Sequence, residues 1–88
     1  SRNKYLSHDA RARGLTLHQA LYAMRDAQTK SVAERLALGR HIINADTIDY
    51  LEIVDPQSLK PLTEIDGPAR ALVAAWIDNT RLIDNIGI

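Results

Sequence analysis

The first three residues, Ser1-Arg2-Asn3, set a hydroxyl, a guanidinium and an amide side by side ahead of any folding signal. A guanidinium presents a planar fork of donors that matches two phosphate oxygens, and a neighbouring hydroxyl adds another. Backbone amides of a short polar loop can complete such an anion cradle. Read alone, the same three residues are more simply a frayed terminus, the usual fate of chain ends. The residue types state a chemistry; by themselves they do not establish a site.

The other groups that could react are dispersed. His8, His18 and His41 titrate nearest neutrality, but they fall on separate predicted helices with no H-x-x-x-H pair and no Cys beside them. A zinc site needs three or four converging ligands, so the expectation is three exposed or half-exposed helix histidines and no metal site. Glu52, Asp55, Glu64, Asp66, Asp78 and Asp84 lie around predicted strands and turns. Paired acids can do acid–base work, but spacing shows no convergence, and turn capping is expected of Asp55, Asp66 and Asp78. No nucleophile motif and no P-loop occurs, so no catalytic residue is expected within these residues.

Composition narrows the partners. Eleven basic and eleven acidic residues cancel, which gives no long-range attraction to nucleic acid or an anionic membrane. The chain has no Cys, hence no disulfide framework and no thiolate site. No apolar run reaches the ~20 residues needed to cross a bilayer, and no signal peptide is read. A soluble, cytoplasmic module is expected. With 88 residues, it is one small domain with one modest core.

The elements that must position these residues follow from punctuation and period. Ser7 is a candidate N-cap with Asp9 in the first turn. A short helix should end near Arg13, because Gly14 suits the left-handed position past a helix. Thr16 and Gln19 form a T-x-x-Q capping box opening a second helix, with Leu17, Ala20, Leu21, Met24 and Ala27 along one stripe. Ser31 and Glu34 form an S-x-x-E box for a third, carrying Val32, Leu36 and Ile43 and weakened by Gly39. Ile48–Asp55 reads as a strand, with Leu51 and Ile53 on one face and Ile48, Tyr50 and Val54 on the other. All three prolines lie between 56 and 68, an irregular but ordered connection. Ala69–Ile77 reads as a second strand whose alanines let something pack close. Trp76 and Met24 are expected in the core. Asp78-Asn79 is a two-residue turn into a strand at Thr80–Asn85. Helices first and strands later mean α+β, with the helices on one side of a small, about three-stranded, antiparallel sheet.

Four blocks now bear on the opening question: SRNKYLS, IDYLEIVDP, PLTEIDGPA and TRLIDN, in that order. Together they make the chain similar to the C-terminal domain of the pantothenate synthetase (pantoate–β-alanine ligase) family, over essentially all of its length. The resemblance implies a larger, Rossmann-like N-terminal domain preceding a single lid domain at 1–88. It implies ATP and Mg2+, bound mainly by that first domain, and the joining of pantoate to β-alanine through pantoyl adenylate. It also implies a homodimeric enzyme and a mobile Met-Ser-Ser-Arg-Asn stretch at the domain junction, whose tail matches Ser1, Arg2 and Asn3. On this reading Ser1 and Arg2 bind ATP phosphates and Asn3 shapes the loop. The 88 residues alone are then expected to be inactive. The competing expectation is an independent binding or interaction module that shares the fold.

Overall fold

Two helices and three strands succeed one another: α1 (His8–Asp26), α2 (Val32–Ile42), β1 (Thr47–Val54), β2 (Arg70–Ile77) and β3 (Thr80–Gly87). The computed structural model describes residues 8–88. The strands form one antiparallel sheet in the order β1-β2-β3, and both helices lie on one of its faces, α1 over β2 and β3 and α2 over β1. This is the α+β arrangement expected from the succession of patterns.

The expected helix break at Gly14 does not occur. α1 continues through Gly14 and Thr16 without interruption. Gly14 answers to packing rather than to a cap: a Cβ there would stand 3.2 Å from Leu82 Cδ1 on β3. Thr16 is likewise no N-cap. Its hydroxyl donates to the Arg13 carbonyl at 2.5 Å and accepts the Asn44 N–H at 2.8 Å, joining α1 to the chain after α2. The second box is real, since Ser31 caps α2 and its hydroxyl accepts the Glu34 N–H at 3.3 Å.

Between the helices, one charged side chain closes the turn. Arg35 is buried, and its guanidinium donates to the carbonyls of Met24 at 2.7 Å, Arg25 at 3.2 Å and Thr29 at 2.7 Å. Those oxygens belong to the end of α1 and the turn beyond it, where helix carbonyls lack intrahelical partners.

In the sheet, Ile77 pairs with Thr80 across a turn in which Asp78 has φ 48° and Asn79 φ 66°. Two consecutive positive φ values define the tight hairpin turn that Asp and Asn accept more readily than most residues. β1 is less regular than its composition suggests. Ile48 pairs with Ala75 and Tyr50 with Ala74, which leaves Asp49 as a bulge. The extra residue shifts the phase, so Ile48 joins Leu51 and Ile53 on the helix-covered face instead of siding with Tyr50 and Val54. The core is built on that face from Leu17, Leu21 and Met24 of α1, Val32 of α2, and Leu51, Ile53, Val73 and Ile77 of the sheet. Ala71 and Ala75 on β2 allow α1 to approach, as the alanine pattern suggested.

Trp76 departs from expectation. It is 38% exposed, on the sheet face that no helix covers, opposite Arg81 on β3. The 56–68 connection is pinned along its middle: Leu62 N–H donates to the Ile53 carbonyl at 2.9 Å, and Ile65 N–H to the Lys30 carbonyl at 3.0 Å. Neither described helix is long and apolar enough to cross a membrane.

Candidate functional site

Ser1, Arg2 and Asn3 lie outside the described residues, so the site is approached from the part of the fold next in sequence, the amino end of α1. Arg13 sits about one and a half turns into that helix. Its guanidinium is 2.6 Å from one oxygen of Asp46 and 3.7 Å from the Asp78 carboxylate. The other Asp46 oxygen accepts the Asp78 N–H at 3.0 Å, and the Asp46 N–H donates to the Trp76 carbonyl at 2.9 Å. One carboxylate thus joins the start of α1, the approach to β1 and the β2–β3 turn. The Arg13 hydrogen bond, reinforced by the Asp78 N–H, holds the Asp46 carboxyl below the ordinary carboxylate range.

On the opposite face of the same end, the bulge at Asp49 presents a second carboxylate. Asp49 Oδ2 accepts from Arg81 Nε at 2.8 Å and from Trp76 Nε1 at 3.0 Å. Arg81 and then Trp76 lower the Asp49 carboxyl from its usual value. The Arg81 guanidinium also stands 5.9 Å from the centre of the Tyr50 ring, a cation–π distance. A shallow open hollow lies beside this cluster, lined by Trp76, Asn79, Thr80 and Arg81.

The residues singled out for titration do not converge. His8, His18 and His41 are all exposed. His18 Nδ1 is 3.3 Å from Asp84 Oδ2, and its ring meets Tyr22 edge-on at 4.4 Å. Asp55 accepts the Gln57 N–H at 2.8 Å and the Ser58 N–H at 3.0 Å, the turn-capping role expected of it. Among the described residues, no group of three or more His, Cys, Asp or Glu side chains could hold a metal ion. What the described part offers is rigid attachment: two carboxylate clamps, one on each face of the hairpin end.

Sequence reading passed over the residues that make those clamps. Arg13 and Asp46 carry no short-range motif, because they meet only through the fold. Asp49 could have been found: an acid inside an otherwise β-forming run is the kind of interruption a bulge accommodates. Arg35 also left a trace, a charge three residues after Val32 and four before Gly39, within the stripe that α2 buries.

With that geometry in hand, comparison with known proteins is informative. The family model described as pantoate-beta-alanine ligase matches residues 1–87. The pantothenate synthetase of Acidobacterium capsulatum is 41% identical over 92 residues, covering 98% of this chain and 31% of the relative. The pantoate–beta-alanine ligase of Oryza sativa subsp. japonica is 38% identical over 93 residues, covering 100% of this chain and 30% of its own length. Among solved structures, the pantothenate synthetase of Thermus thermophilus superimposes with a TM-score of 0.87 at 42% identity, over 97% of this chain and 33% of that one. The chain therefore spans about a third of the length of the relatives it matches.

Proposed function

The chain belongs to the pantoate–beta-alanine ligase family, and from that premise we propose that residues 1–88 form the carboxy-terminal lid of an ATP-dependent, AMP-forming ligase. The observation that carries this reading is the family match through residue 1, which takes in the Ser1-Arg2-Asn3 row. The substrates would be pantoate, β-alanine and ATP. Homodimeric assembly and a cytoplasmic location belong to the same proposal.

The reaction has two balanced steps. A pantoate carboxylate oxygen attacks the α-phosphorus of ATP, and the bond to the bridging oxygen breaks to release pyrophosphate. The amine of β-alanine then attacks the acyl carbon of the adenylate, losing a proton, while AMP leaves with the bonding pair. The first step concentrates negative charge on the departing β- and γ-phosphates. Arg2 supplies a fixed-charge, planar donor to those oxygens, and the Ser1 hydroxyl adds a neutral donor. Asn3 shapes the backbone that presents them. The lid then shields the mixed anhydride from water until the amine arrives.

The described fold supports this role by anchoring. A side chain that must meet a phosphate within a few tenths of an ångström needs a rigid base. Arg13, Asp46 and the Asp78 turn provide one at the amino end of α1. No nucleophile or general base is required of the described residues, which fits the dispersal of their histidines and carboxylates.

The test is an assay with the three substrates. The full-length protein should release AMP, pyrophosphate and pantothenate in equal amounts, and the 88 residues alone should release none. Pantothenate from the isolated 88 residues, or none from the full-length protein, would contradict the reading.

A further inference from the structure

We infer that the sheet face left open by the helices is the surface on which the polypeptide preceding α1 in the longer relatives packs. The inference rests on the two-lobe reading above. Across this face runs the row Tyr50–Ala74–Ile83, in direct register through all three strands. Leu72 and Trp76 flank it along β2. Ile83 is 62% exposed and Trp76 38% exposed. A sheet that shows one face to water normally alternates apolar inward with polar outward. Here the outward positions at the centre of the sheet are apolar.

The face is also stiff. Trp76 is held through its indole N–H by Asp49, and Arg81 is held by the same carboxylate above Tyr50. Side chains fixed in advance lose little freedom on docking, and Trp, Tyr and Arg are the residues that dominate well-packed contacts. Two of the charges on this face are paired internally: Asp49 by Arg81, and Arg70 by a 2.6 Å hydrogen bond to the Asn85 oxygen. The third, Glu52 opposite Leu72, is exposed on the edge strand β1, beside the apolar row rather than within it.

Two features assign the occupant to the same polypeptide rather than to a second copy. The relatives are about three times as long as this chain, so most of their mass lies outside the matched region. α1 begins at the end of the sheet that carries the β2–β3 turn, where Arg13 meets Asp46 and Asp78, and Trp76 and Arg81 lie at that same end on the open face. A lobe tethered there meets the face at an effective concentration of about millimolar, far above that of a free partner.

The experiment uses the full-length protein carrying Ile83→Cys, with iodoacetamide as probe and mass spectrometry of the peptide as readout. Docking predicts alkylation about tenfold or more slower in the native protein than in urea, unchanged when the protein is diluted. In parallel, Ile83→Lys should lower the melting temperature of the full-length protein by several degrees, whereas at an open surface it would shift it by about a degree or less. The proposal stands only if both results are obtained. Native alkylation within about threefold of the unfolded rate overturns it, as does protection lost on dilution, which would assign the face to a second copy. Neither readout involves turnover, so failure here is distinguishable from failure of the ligase reading.

Discussion

Arg13 and Asp46, thirty-three residues apart, meet at 2.6 Å and tie the start of α1 to the far end of the sheet. The link is extended by the Asp78 N–H on the second Asp46 oxygen. Its importance lies in position: it holds the start of α1 against the approach to β1 and the β2–β3 turn.

Replacing Arg13 with Ala should lower the melting temperature and increase hydrogen exchange in the first turns of α1 and at the Asp78-Asn79 turn. Asp46→Asn should do less, because its amide oxygen can still accept one of the two bonds. Equal exchange in wild type and Arg13→Ala at both places would show that the link does not anchor the helix.

The carboxyls of Asp46, Asp49 and Asp55 all lie below their ordinary value of 3.8 in the folded chain. For a lowered carboxyl the stabilisation is fully present above the unfolded-state value. It is lost as pH falls below 3.8 and through the folded-state value. Trp76, the one tryptophan of the chain, reports on Asp49 directly. Its emission should titrate with a midpoint below 3.8 in wild type. Asp49→Asn should abolish that transition. A midpoint at or above 3.8 would mean that Arg81 does not hold the carboxylate in solution.

Gly39→Ala tests packing against propensity. Alanine in place of a mid-helix glycine gains up to about 1 kcal/mol of helix stability. At this position, however, a Cβ would run into the Met24 sulfur and lie 3.2 Å from Leu51 Cδ2, and Met24 is fully buried. Overpacking of this kind costs about 1–3 kcal/mol. A lower unfolding midpoint in denaturant is expected; a higher one would show that Met24 repacks freely.

Arg35→Lys should be nearly as damaging as Arg35→Ala. One ammonium cannot reach the carbonyls of Met24, Arg25 and Thr29 together, and stranding a buried carbonyl costs about 1–3 kcal/mol. Chemical denaturation of the two variants decides it. A lysine variant as stable as wild type would mean that charge, rather than the fork, closes the end of α1.

These cases also show what sequence alone could and could not convey. Ser31 with Glu34, and Asp78 with Asn79, act through neighbours one to three residues away, so local chemistry announced them. Gly14 misled for the complementary reason: its role is to admit Leu82, sixty-eight residues later, and local rules read it as a stop. The phase of β1 turns on one residue, Asp49: an acid in a β-forming run hints at a bulge, but only the pairing with β2 shows that one forms there. Hydrophobicity alone places Trp76 inward, whereas its indole N–H finds an acceptor in Asp49 on the outer face. The phosphate-binding role proposed for Ser1 and Arg2 rests on their chemistry and on the family resemblance, since both lie outside the described residues.

The central proposal is that Arg2 grips the departing phosphates of ATP in the full-length protein. Its most direct test is the single-turnover rate of pyrophosphate release by the full-length protein with pantoate and ATP, comparing wild type, Arg2→Lys and Arg2→Ala. Loss of one donor aimed at developing charge costs about a hundred- to a thousandfold, so Arg2→Ala should fall by that order, with Arg2→Lys in between. Release from Arg2→Ala within about twofold of wild type would contradict the account.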